Sequence, residues 1–279
     1  MTTADSPATR APDDGFADLM RKVTRDRGFA CASYKERCLK RRVGVRMRAR
    51  GVLGYAEYAR LLDEDTAEYE RLMQVLTINV TKLFRNWDAY AAIEAKVVPA
   101  LWEDAAHGDV RVWSAGCAAG HEAYSLAALF HRYAHATGTT ERLSRLHIVG
   151  TDVDRQILDV ARRAEFAEAD FADTPADLRA RYFAPDPPFR LDPDVRRLVR
   201  FRVGDLLSDG PPLARLELIV CRNVLIYFDR ESQERLFESF HAALAPNGFL
   251  VFGKVETLFG PMRKHFAPVD ARERIFRRA

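Results

Sequence analysis

The sequence predicts an α/β protein in which a mostly parallel, doubly wound sheet follows a helical N-terminal block. After Gly108, short apolar segments alternate with helical segments, a pattern typical of a parallel sheet covered by helices. Before that point, from Phe16 to about Leu76, apolar residues recur at spacings of three and four, and no convincing strand is found. We therefore expect a small all-helical domain followed by a larger sheet domain.

The first 14 residues mix Ser, Thr, Ala, Pro and Asp and resemble neither a signal peptide nor a transit sequence, so a disordered tail is expected at 1–14. The helical domain is expected at 15–86, with a polar break at 77–81 that ends its helical pattern. A helix from about Asp88 to Trp102 then opens the sheet domain, expected at 87–279.

Within the sheet domain, the segments from about 170 to 200 contain several prolines and predict an inserted subdomain. The alternation in Phe266 to Arg277 predicts a final edge strand. The remaining predicted strands are 110–115, 146–151, 216–221 and 248–253, and the predicted helices lie near 121–136, 154–163 and 230–244.

The composition limits the possible functions. The chain has 279 residues, 48% of them hydrophobic and 30% charged, as in ordinary soluble proteins, and a net charge of +3 gives no whole-protein argument for nucleic acid or membrane binding. No run approaches the roughly 20 apolar residues of a membrane span. The four cysteines show no C-x-x-C spacing, so a cytoplasmic protein with reduced thiols is expected.

A glycine-bearing loop follows the first predicted strand. The stretch from Val112 to Glu122 indicates a strand, a loop containing Gly116 and a helix with a carboxylate in its first turn. Glycine lets a ligand approach the backbone, and free N–H groups at a helix start favour electron-rich ligands, so the loop predicts a nucleotide-like cofactor. Tight strand–helix packing is the alternative role for these glycines.

Ligands of open α/β sheets bind beyond the carboxyl ends of strands. Asp152 and Asp205 fall at such ends, as does the segment 221–223. An acid in the position of Asp152 can accept hydrogen bonds from ribose hydroxyls, or it can cap the helix that follows. The gap between the Gly116 loop and Asp152 exceeds the roughly 20 residues of the dinucleotide fingerprint, which disfavours a nicotinamide dehydrogenase.

Two further segments carry a resemblance to a known family. Residues 79–85 place an amide, a hydroxyl and a guanidinium close together, and residues 221–229 place an amide and a phenol after a strand. With these segments, the chain resembles the chemotaxis-receptor glutamate methyltransferases, the CheR family, over nearly its whole length. The shared motifs, in order, are N-x-T-x-x-x-R, W-S-A-G-C-x-x-G-x-E-x-Y-S, T-D-x-D and C-R-N-V-L-I-Y-F-D.

The resemblance implies a Rossmann-like (class I) methyltransferase sheet that uses S-adenosylmethionine (SAM) and releases S-adenosylhomocysteine. It implies that Arg85 and Tyr227 lie beside the transferred methyl group as catalytic residues. The cofactor contacts it implies are Asn79, Thr81, Arg85, Gly116, Glu122, Asp152, Asp205, Leu206, Arg222 and Asn223.

Each assignment has a simpler alternative. Asn79 and Thr81 could cap helix ends, and Arg85 could form an ion pair at a domain interface. Glu122 could simply favour the positive end of its helix, and Tyr227 could be an ordinary half-buried aromatic. The chain also departs from the family pattern at Leu83, His121 and Ala123, and it has Asp205 where some members have asparagine.

These residue types suit methyl transfer to a carboxylate. Glutamate, with a pKa of about 4.3, is already ionised at neutral pH, so the reaction needs no strong base. Alignment of oxygen, methyl carbon and sulfur can be worth up to about 7 to 11 kcal/mol. A guanidinium such as Arg85 can hold a carboxylate through two hydrogen bonds, and a phenol such as Tyr227 can donate one more.

A basic segment at 35–50 suggests an acidic partner. The resemblance implies that this partner is the acidic, helical methylation region of a chemoreceptor; a solvated surface is the alternative, and nucleic acid is not favoured. The insert lacks the glycines of members that bind a receptor's tether peptide, so tether docking is not expected. The basic residues of the segment are Lys35, Arg37, Lys40, Arg41, Arg42, Arg46, Arg48 and Arg50.

Other functions are less well supported. His131 and His135 lie four residues apart, but Arg132 stands where a zinc-protease motif needs Glu, so no metal site is expected. Cys117 and Cys221 are expected to line the site as small apolar residues, because methyl transfer needs no covalent intermediate. A cofactor-binding scaffold without activity and a nucleic-acid methyltransferase remain as alternatives.

Overall fold

The computed structural model describes residues 14–104 and 108–279, and it divides them into two compact units between Thr77 and Ile78. The tail expected at 1–14 lies outside the described residues, except for Asp14, at which the first helix begins. The boundary thus lies before the one expected at 86. Residues 78–86 belong to the second unit because Leu83 N–H donates to Asp170 O at 3.0 Å and Phe84 N–H donates to Ser125 Oγ at 2.8 Å.

The first unit is all-helical, as the sequence predicts. Leu19, Val23, Val43, Tyr58 and Leu72 are fully buried between its helices. Helix α2 ends at Arg50 and is capped by Gly51, whose φ of +67° is the left-handed conformation that glycine adopts readily. The helices are α1 (Asp14–Arg27), α2 (Glu36–Arg50), α3 (Tyr55–Glu64) and α4 (Thr66–Thr77).

A buried carboxylate fixes part of α2 to the rest of this unit. Glu68 on α4 is fully buried, accepts hydrogen bonds from Arg46 Nε at 3.0 Å and Nη2 at 2.6 Å, and accepts another from the Tyr58 hydroxyl at 2.7 Å. Arg42 is also buried and donates to Leu76 O at 2.7 Å. Two arginines of the basic segment therefore hold the unit together and do not face a partner.

The second unit contains a seven-stranded sheet, mostly parallel as predicted, with strand order β5-β2-β1-β6-β7-β9-β8. Strands β5, β2, β1, β6 and β7 are parallel, and β9 and β8 continue the sheet antiparallel. Strands β3 and β4 form a separate, two-stranded antiparallel sheet. The strands are β1 (Val110–Ala115), β2 (Leu146–Asp152), β3 (Glu165–Phe166), β4 (Phe189–Arg190), β5 (Val199–Val203), β6 (Leu216–Cys221), β7 (Leu244–Phe252), β8 (Phe266–Asp270) and β9 (Ile275–Arg278).

Helices cover the sheet, and apolar residues from both form the core. Buried core residues include Leu126 and Phe130 of the helix 121–136, and Val112, Leu218 and Val251 of the strands. The helix expected at 88–102 runs from Trp87 to Asp104, with a wider π-helical turn at Ile93–Val97. The helices are α5 (Trp87–Ala92), α6 (Val98–Asp104), α7 (His121–Ala136), α8 (Arg155–Arg163), α9 (Ala176–Tyr182), α10 (Pro193–Arg196) and α11 (Arg230–Ala243).

Two details differ from the sequence prediction. The single edge strand expected at 266–277 is wrong, because a turn in which Glu273 N–H bonds Asp270 Oδ1 and Arg274 has a φ of +56° divides it into the hairpin β8–β9. Residues 199–200, expected within the insert, belong to the main sheet, because Val199 pairs with Ile148 of β2.

Among the described residues, we find no helix that is both long and apolar enough to traverse a bilayer.

Candidate functional site

The loop after β1 depends on its glycines for conformation and for packing. Gly116 has a φ of +74°, and its N–H donates to Thr151 O at 2.9 Å. A Cβ at Gly116 would lie 2.7 Å from Cγ2 of Val224, and one at Gly120, where φ is +80°, would lie 2.7 Å from Cζ of Phe201. Close packing thus accounts for part of the glycine pattern, and of residues 116–120 only Gly116 stays partly exposed at the end of β1.

Glu122 lies in the first turn of α7, and its carboxylate accepts a 2.8 Å hydrogen bond from Ser114 Oγ on β1. Burial of this carboxyl raises its pKa to about 7, and the positive charges of Arg222 and Arg85 oppose that rise. Glu122 is therefore held toward the carboxyl end of the sheet and close to two guanidinium groups.

Asp152 ends β2 and is almost fully buried. Its Oδ2 accepts the N–H of Ala118 at 2.9 Å, and its Oδ1 accepts the N–H of Asp154 at 3.0 Å. Burial raises the pKa of Asp152 to about 6, although these backbone hydrogen bonds lower it. The helix-cap alternative for Asp152 is wrong, because Asp154 caps α8 by accepting from the N–H groups of Gln156 and Ile157.

Asn79 also reaches this strand end. Its amide donates to Asp154 Oδ2 at 2.8 Å, so Asn79 connects the 79–85 segment to the end of β2. Thr81 is half-buried in the same segment, and Arg85, also half-buried, donates to Val80 O at 3.1 Å. Neither Asn79 nor Thr81 stands at the end of a helix, since α4 ends at Thr77 and α5 begins at Trp87.

The turn after β6 carries the next group of predicted residues. Arg222 is buried, lies over the Tyr90 ring at 5.1 Å from its centroid, and approaches Asn86 Oδ1 at 3.5 Å through Nη2. Its Nε is buried and has no hydrogen-bond partner among the described residues. Asn223 follows with a φ of +62°, and Tyr227 ends the short 3₁₀ helix Leu225–Tyr227.

Asp205 and Leu206 follow β5 next to the end of β2, where Gly204 N–H donates to Asp152 O at 3.0 Å. The Asp205 carboxylate accepts the N–H of Leu207 at 2.8 Å, so it shapes its own turn. Leu206 is buried. The structure thus places the predicted residues at the carboxyl ends of β1, β2, β5 and β6, or on the adjoining 79–85 segment.

Sequence reasoning missed Glu256. This buried carboxylate accepts backbone N–H groups at 2.6 to 2.8 Å from Gly253, Asn223, Val224 and Leu225. It therefore sets the course of the turn that carries Asn223. The signal that could have identified it is its position: Glu256 follows β7, at the same edge of the sheet as the other strand-end acids.

Comparison with known proteins identifies the family. The model described as "CheR methyltransferase, SAM binding domain" matches residues 79–275, and the model described as "CheR methyltransferase, all-alpha domain" matches residues 14–77. The chain belongs to the CheR methyltransferase family. Its matched ranges meet where the two compact units divide.

Curated relatives of this CheR chain differ in length. An uncharacterized 104.1 kDa protein of Rhodobacter capsulatus is 38% identical over 245 residues, which are 87% of this chain but only 25% of that protein. A chemotaxis protein methyltransferase of Listeria innocua is 33% identical over 242 residues, 86% of this chain and 89% of that protein. A TehB-like SAM-dependent methyltransferase structure from Corynebacterium glutamicum is 17% identical, with a TM-score of 0.37 over 70% of this chain and 92% of that one.

The cofactor of this CheR protein is S-adenosylmethionine, and the site has the donor and acceptor groups that SAM requires. SAM carries an ammonium group, a sulfonium and ribose hydroxyls, and the desolvated carboxylates of Glu122 and Asp152 can pair with such groups. It also carries a carboxylate, and the buried Arg222 offers a guanidinium whose Nε is unsatisfied among the described residues. The residues present therefore fit the cofactor.

The cysteines and histidines near this region have structural surroundings. Cys117 and Cys221 are buried, and burial raises the pKa of each thiol well above its usual value, so neither is an activated nucleophile. His131 and His135 pack ring against ring with centroids 4.4 Å apart, and His131 Nδ1 lies 3.3 Å from the Tyr182 hydroxyl. In the part of the chain that the structure describes, no three His, Cys, Asp or Glu side chains are grouped as a metal site would require.

Proposed function

We propose that this CheR protein transfers a methyl group from SAM to the side-chain carboxylates of chemoreceptor glutamates, giving glutamate methyl esters. The observation that carries the proposal is the half-buried guanidinium of Arg85 on the 79–85 segment, which Asn79 joins to the end of β2 through Asp154. Burial raises the pKa of Glu122, and the positive charge of Arg85 is among those that oppose this rise. A fixed positive charge beside the methyl donor suits an anionic acceptor, and a glutamate carboxylate is anionic at neutral pH.

The residues that hold SAM are the strand-end group described above. Asp152 accepts hydrogen bonds from the ribose hydroxyls, and Glu122 pairs with a cationic part of the cofactor, because both are desolvated acceptors. Arg222 and Asn223 receive the amino-acid end, and Gly116 brings the backbone close to the ligand. The remaining walls of the proposed cofactor site are formed by Asn79, Thr81, Asp205 and Leu206.

The chemistry needs positioning more than proton transfer. Bound SAM supplies a methyl group on sulfonium sulfur, which a carboxylate oxygen takes in an in-line displacement that leaves S-adenosylhomocysteine. Arg85 orients the incoming carboxylate with its guanidinium fork, and Tyr227 donates one hydrogen bond from its hydroxyl. Neither residue removes a proton, and alignment of this kind can be worth up to about 7 to 11 kcal/mol.

The receptor-binding surface is the exposed part of α2. Arg42 and Arg46 are held inside the first unit, and Arg50 lies 3.0 Å from the Asp65 carboxylate, so they contribute less to an outer surface. Arg37, Arg41 and Arg48 are exposed and recur at helical spacings of four and seven, which places them on one face. This face suits an acidic helical methylation region.

The free thiols of the four cysteines agree with a cytoplasmic site of action.

The test supplies methyl-labelled SAM with an acidic cytoplasmic receptor fragment and measures label released from the protein by alkali, as methyl esters release it. Wild-type protein is expected to produce alkali-labile label, and a receptor fragment with Gln in place of its glutamates is expected to produce none. Label on added RNA or DNA, or SAM binding without any transfer to the receptor, would contradict the proposal.

A further inference from the structure

A groove lined by arginines runs along the outer edge of the main sheet. Strand β5 forms that edge and pairs with β2 alone among the described strands. The groove has a volume of about 940 Å³, and no Asp or Glu is among the described residues that line it. Its five arginines come from α8, α10 with the turn that follows, and β5: Arg162, Arg196, Arg197, Arg200 and Arg202. We call this surface the arginine groove.

Neutral acceptors hold several of these side chains in place. Arg196 Nη2 donates to Arg162 O at 2.7 Å, Arg162 Nη2 donates to Phe201 O at 3.2 Å, and Arg202 Nη1 donates to Pro212 O at 3.0 Å. A backbone carbonyl orients a guanidinium but leaves its positive charge uncompensated. The groove is therefore an ordered array of positive charge.

Two carboxylates pair with the arginine groove from outside it. Asp159 lies 2.6 Å from Arg162 and Asp194 lies 2.8 Å from Arg197, and these carboxylates are 61% and 59% exposed. Ion pairs between groups this exposed are worth little, typically about 0 to 1 kcal/mol, so an incoming carboxylate can compete with them.

The backbone of β5 is also available for pairing. Ile148 N–H donates to Leu198 O at 3.2 Å and Gly204 N–H donates to Asp152 O at 3.0 Å, which shows which residues of this edge face β2. Because backbone groups alternate in direction along a parallel strand, Val199, Phe201 and Val203 turn their N–H and C=O groups outward. The carbonyl of Phe201 already accepts from Arg162 Nη2, so an added strand pairs with the other outward groups. An edge of this kind is a template for an added strand.

We propose that the arginine groove binds an acidic segment of a protein partner, extended along β5 and paired with its outer backbone groups. Guanidinium forks match carboxylates through two hydrogen bonds each, and successive strand residues on one side lie about 7 Å apart, so alternate acidic residues can meet Arg200 and Arg202. The groove contains none of the residues assigned above to SAM or to the substrate carboxylate.

Nucleic-acid binding and simple protection of the sheet edge agree less well with the arginine groove. Single-stranded nucleic acid needs exposed aromatic rings for base stacking, but Tyr124 is buried and packs edge-on against Phe201, with centroids 5.4 Å apart. Charges that only protect a sheet edge from aggregation need to lie on the strand itself. Here three of the five arginines come from outside β5 and converge on it.

The experiment uses the full chain and a fluorescein-labelled peptide of alternating Glu and Val, with binding followed by fluorescence anisotropy. We expect Arg200→Gln with Arg202→Gln to weaken binding by at least about tenfold, because two charge-assisted contacts are lost. The matched control, Arg230→Gln with Arg272→Gln, removes two exposed arginines elsewhere and is expected to bind as the wild type does.

A second peptide tests the backbone pairing without changing the protein. Methylation of alternate peptide nitrogens removes the donors that an added strand needs, and it is expected to abolish binding while leaving the peptide's charge intact. Equal binding by the Arg200/Arg202 variant, by the methylated peptide or by a DNA oligonucleotide of equal charge would overturn the proposal, as would no binding at all. SAM binding, measured by calorimetry on the same variants, is expected to be unchanged, so failure here leaves the methyl-transfer proposal unaffected.

Discussion

The carboxylate of Glu256 accepts the backbone N–H of Asn223 at 2.8 Å and so fixes a residue whose φ is +62°. The same carboxylate accepts N–H groups from Val224, Leu225 and Gly253. One side chain after β7 therefore determines the turn after β6, which leads from Arg222 to Tyr227. Glu256 is a positioning residue for the site, although it belongs to none of the four motifs quoted above.

Glu256→Ala is expected to lower both the free energy of unfolding and the affinity for SAM. Leaving four backbone N–H groups, two of them buried, without their charged acceptor should cost at least about 3 kcal/mol, since a single hydrogen bond to a charged group is worth about 1.5 to 3 kcal/mol. Denaturant unfolding and calorimetry measure the two effects. Glu217→Ala is the matched control, because Glu217 accepts one N–H, from Arg111, away from the site, and its loss should leave SAM affinity unchanged.

Arg85→Ala is expected to reduce kcat by at least about a hundredfold while the Kd for SAM changes by less than about tenfold, because alignment of the carboxylate is lost and most cofactor contacts remain. Tyr227→Phe removes one donated hydrogen bond and is expected to slow transfer by about tenfold. Single-turnover assays with a receptor fragment, combined with calorimetry on SAM, separate the two quantities. Equal rates for wild type and Arg85→Ala would refute the assignment of Arg85.

SAM affinity is expected to rise with pH and to level off above about pH 7. Burial raises the pKa of Glu122 to about 7 in the protein without cofactor, and a cationic ligand favours the ionised carboxylate, so binding releases a proton below that pH. Calorimetry in buffers of different ionisation enthalpy, at about pH 6.5 to 8.5, measures this release. Glu122→Gln should bind SAM more weakly and without this pH dependence; an unchanged pH profile in that variant would assign the effect to another group.

The same raised pKa predicts how the stability of the empty protein depends on pH. Between the usual pKa of 4.5 and about 7, the folded protein retains a proton on Glu122 that the unfolded chain has lost. The contribution of Glu122 to stability is therefore complete below about pH 4.5 and is lost as the pH rises through 7. Thermal unfolding of wild type and Glu122→Gln over this range should show a difference that grows with pH in favour of the variant.

Two arginines five residues apart on α2, Arg41 and Arg46, are expected to behave differently. Arg46→Gln leaves the buried Glu68 carboxylate without its two-bond partner and should destabilise the first unit by about 3 to 5 kcal/mol. Arg41→Gln changes an exposed residue and should alter stability by less than about 0.5 kcal/mol while weakening receptor binding. Urea unfolding and receptor pull-down with both variants check this; weaker receptor binding by Arg46→Gln alone would contradict the proposed surface.

The sequence predicts buried strands better than edges. Strands β1 and β6 lie where the sequence predicts them because each is mostly apolar and buried along most of its length, as expected of a central parallel strand. The first residues of β5 fall within the predicted insert because Arg200 and Arg202 alternate with its apolar residues, which is typical of a half-exposed edge. The turn at 271–274 divides the last predicted strand, and it contains no glycine or proline from which a turn could have been predicted.

At the site, motifs identify residues but not their neighbours. The positions of Asp152 and Arg222 follow from their place at strand ends, whereas the role of Asp154 as the cap of α8 depends on backbone geometry that spacing alone does not give. In the basic segment at 35–50, the sequence alone does not distinguish arginines that face the solvent from arginines that are buried. Only packing shows that Arg42 and Arg46 turn inward to Leu76 and Glu68.

The close packing of Gly116 against Val224 brings together the loops that follow β1 and β6, at the proposed cofactor site. A side chain at Gly116 would clash with Val224 and would also be strained by the φ of +74°, so shortening Val224 does not by itself allow a substitution at Gly116. An engineer who wants this protein to accept a bulkier cofactor analogue would therefore begin by shortening Val224, which creates space while the glycine with positive φ at 116 is kept.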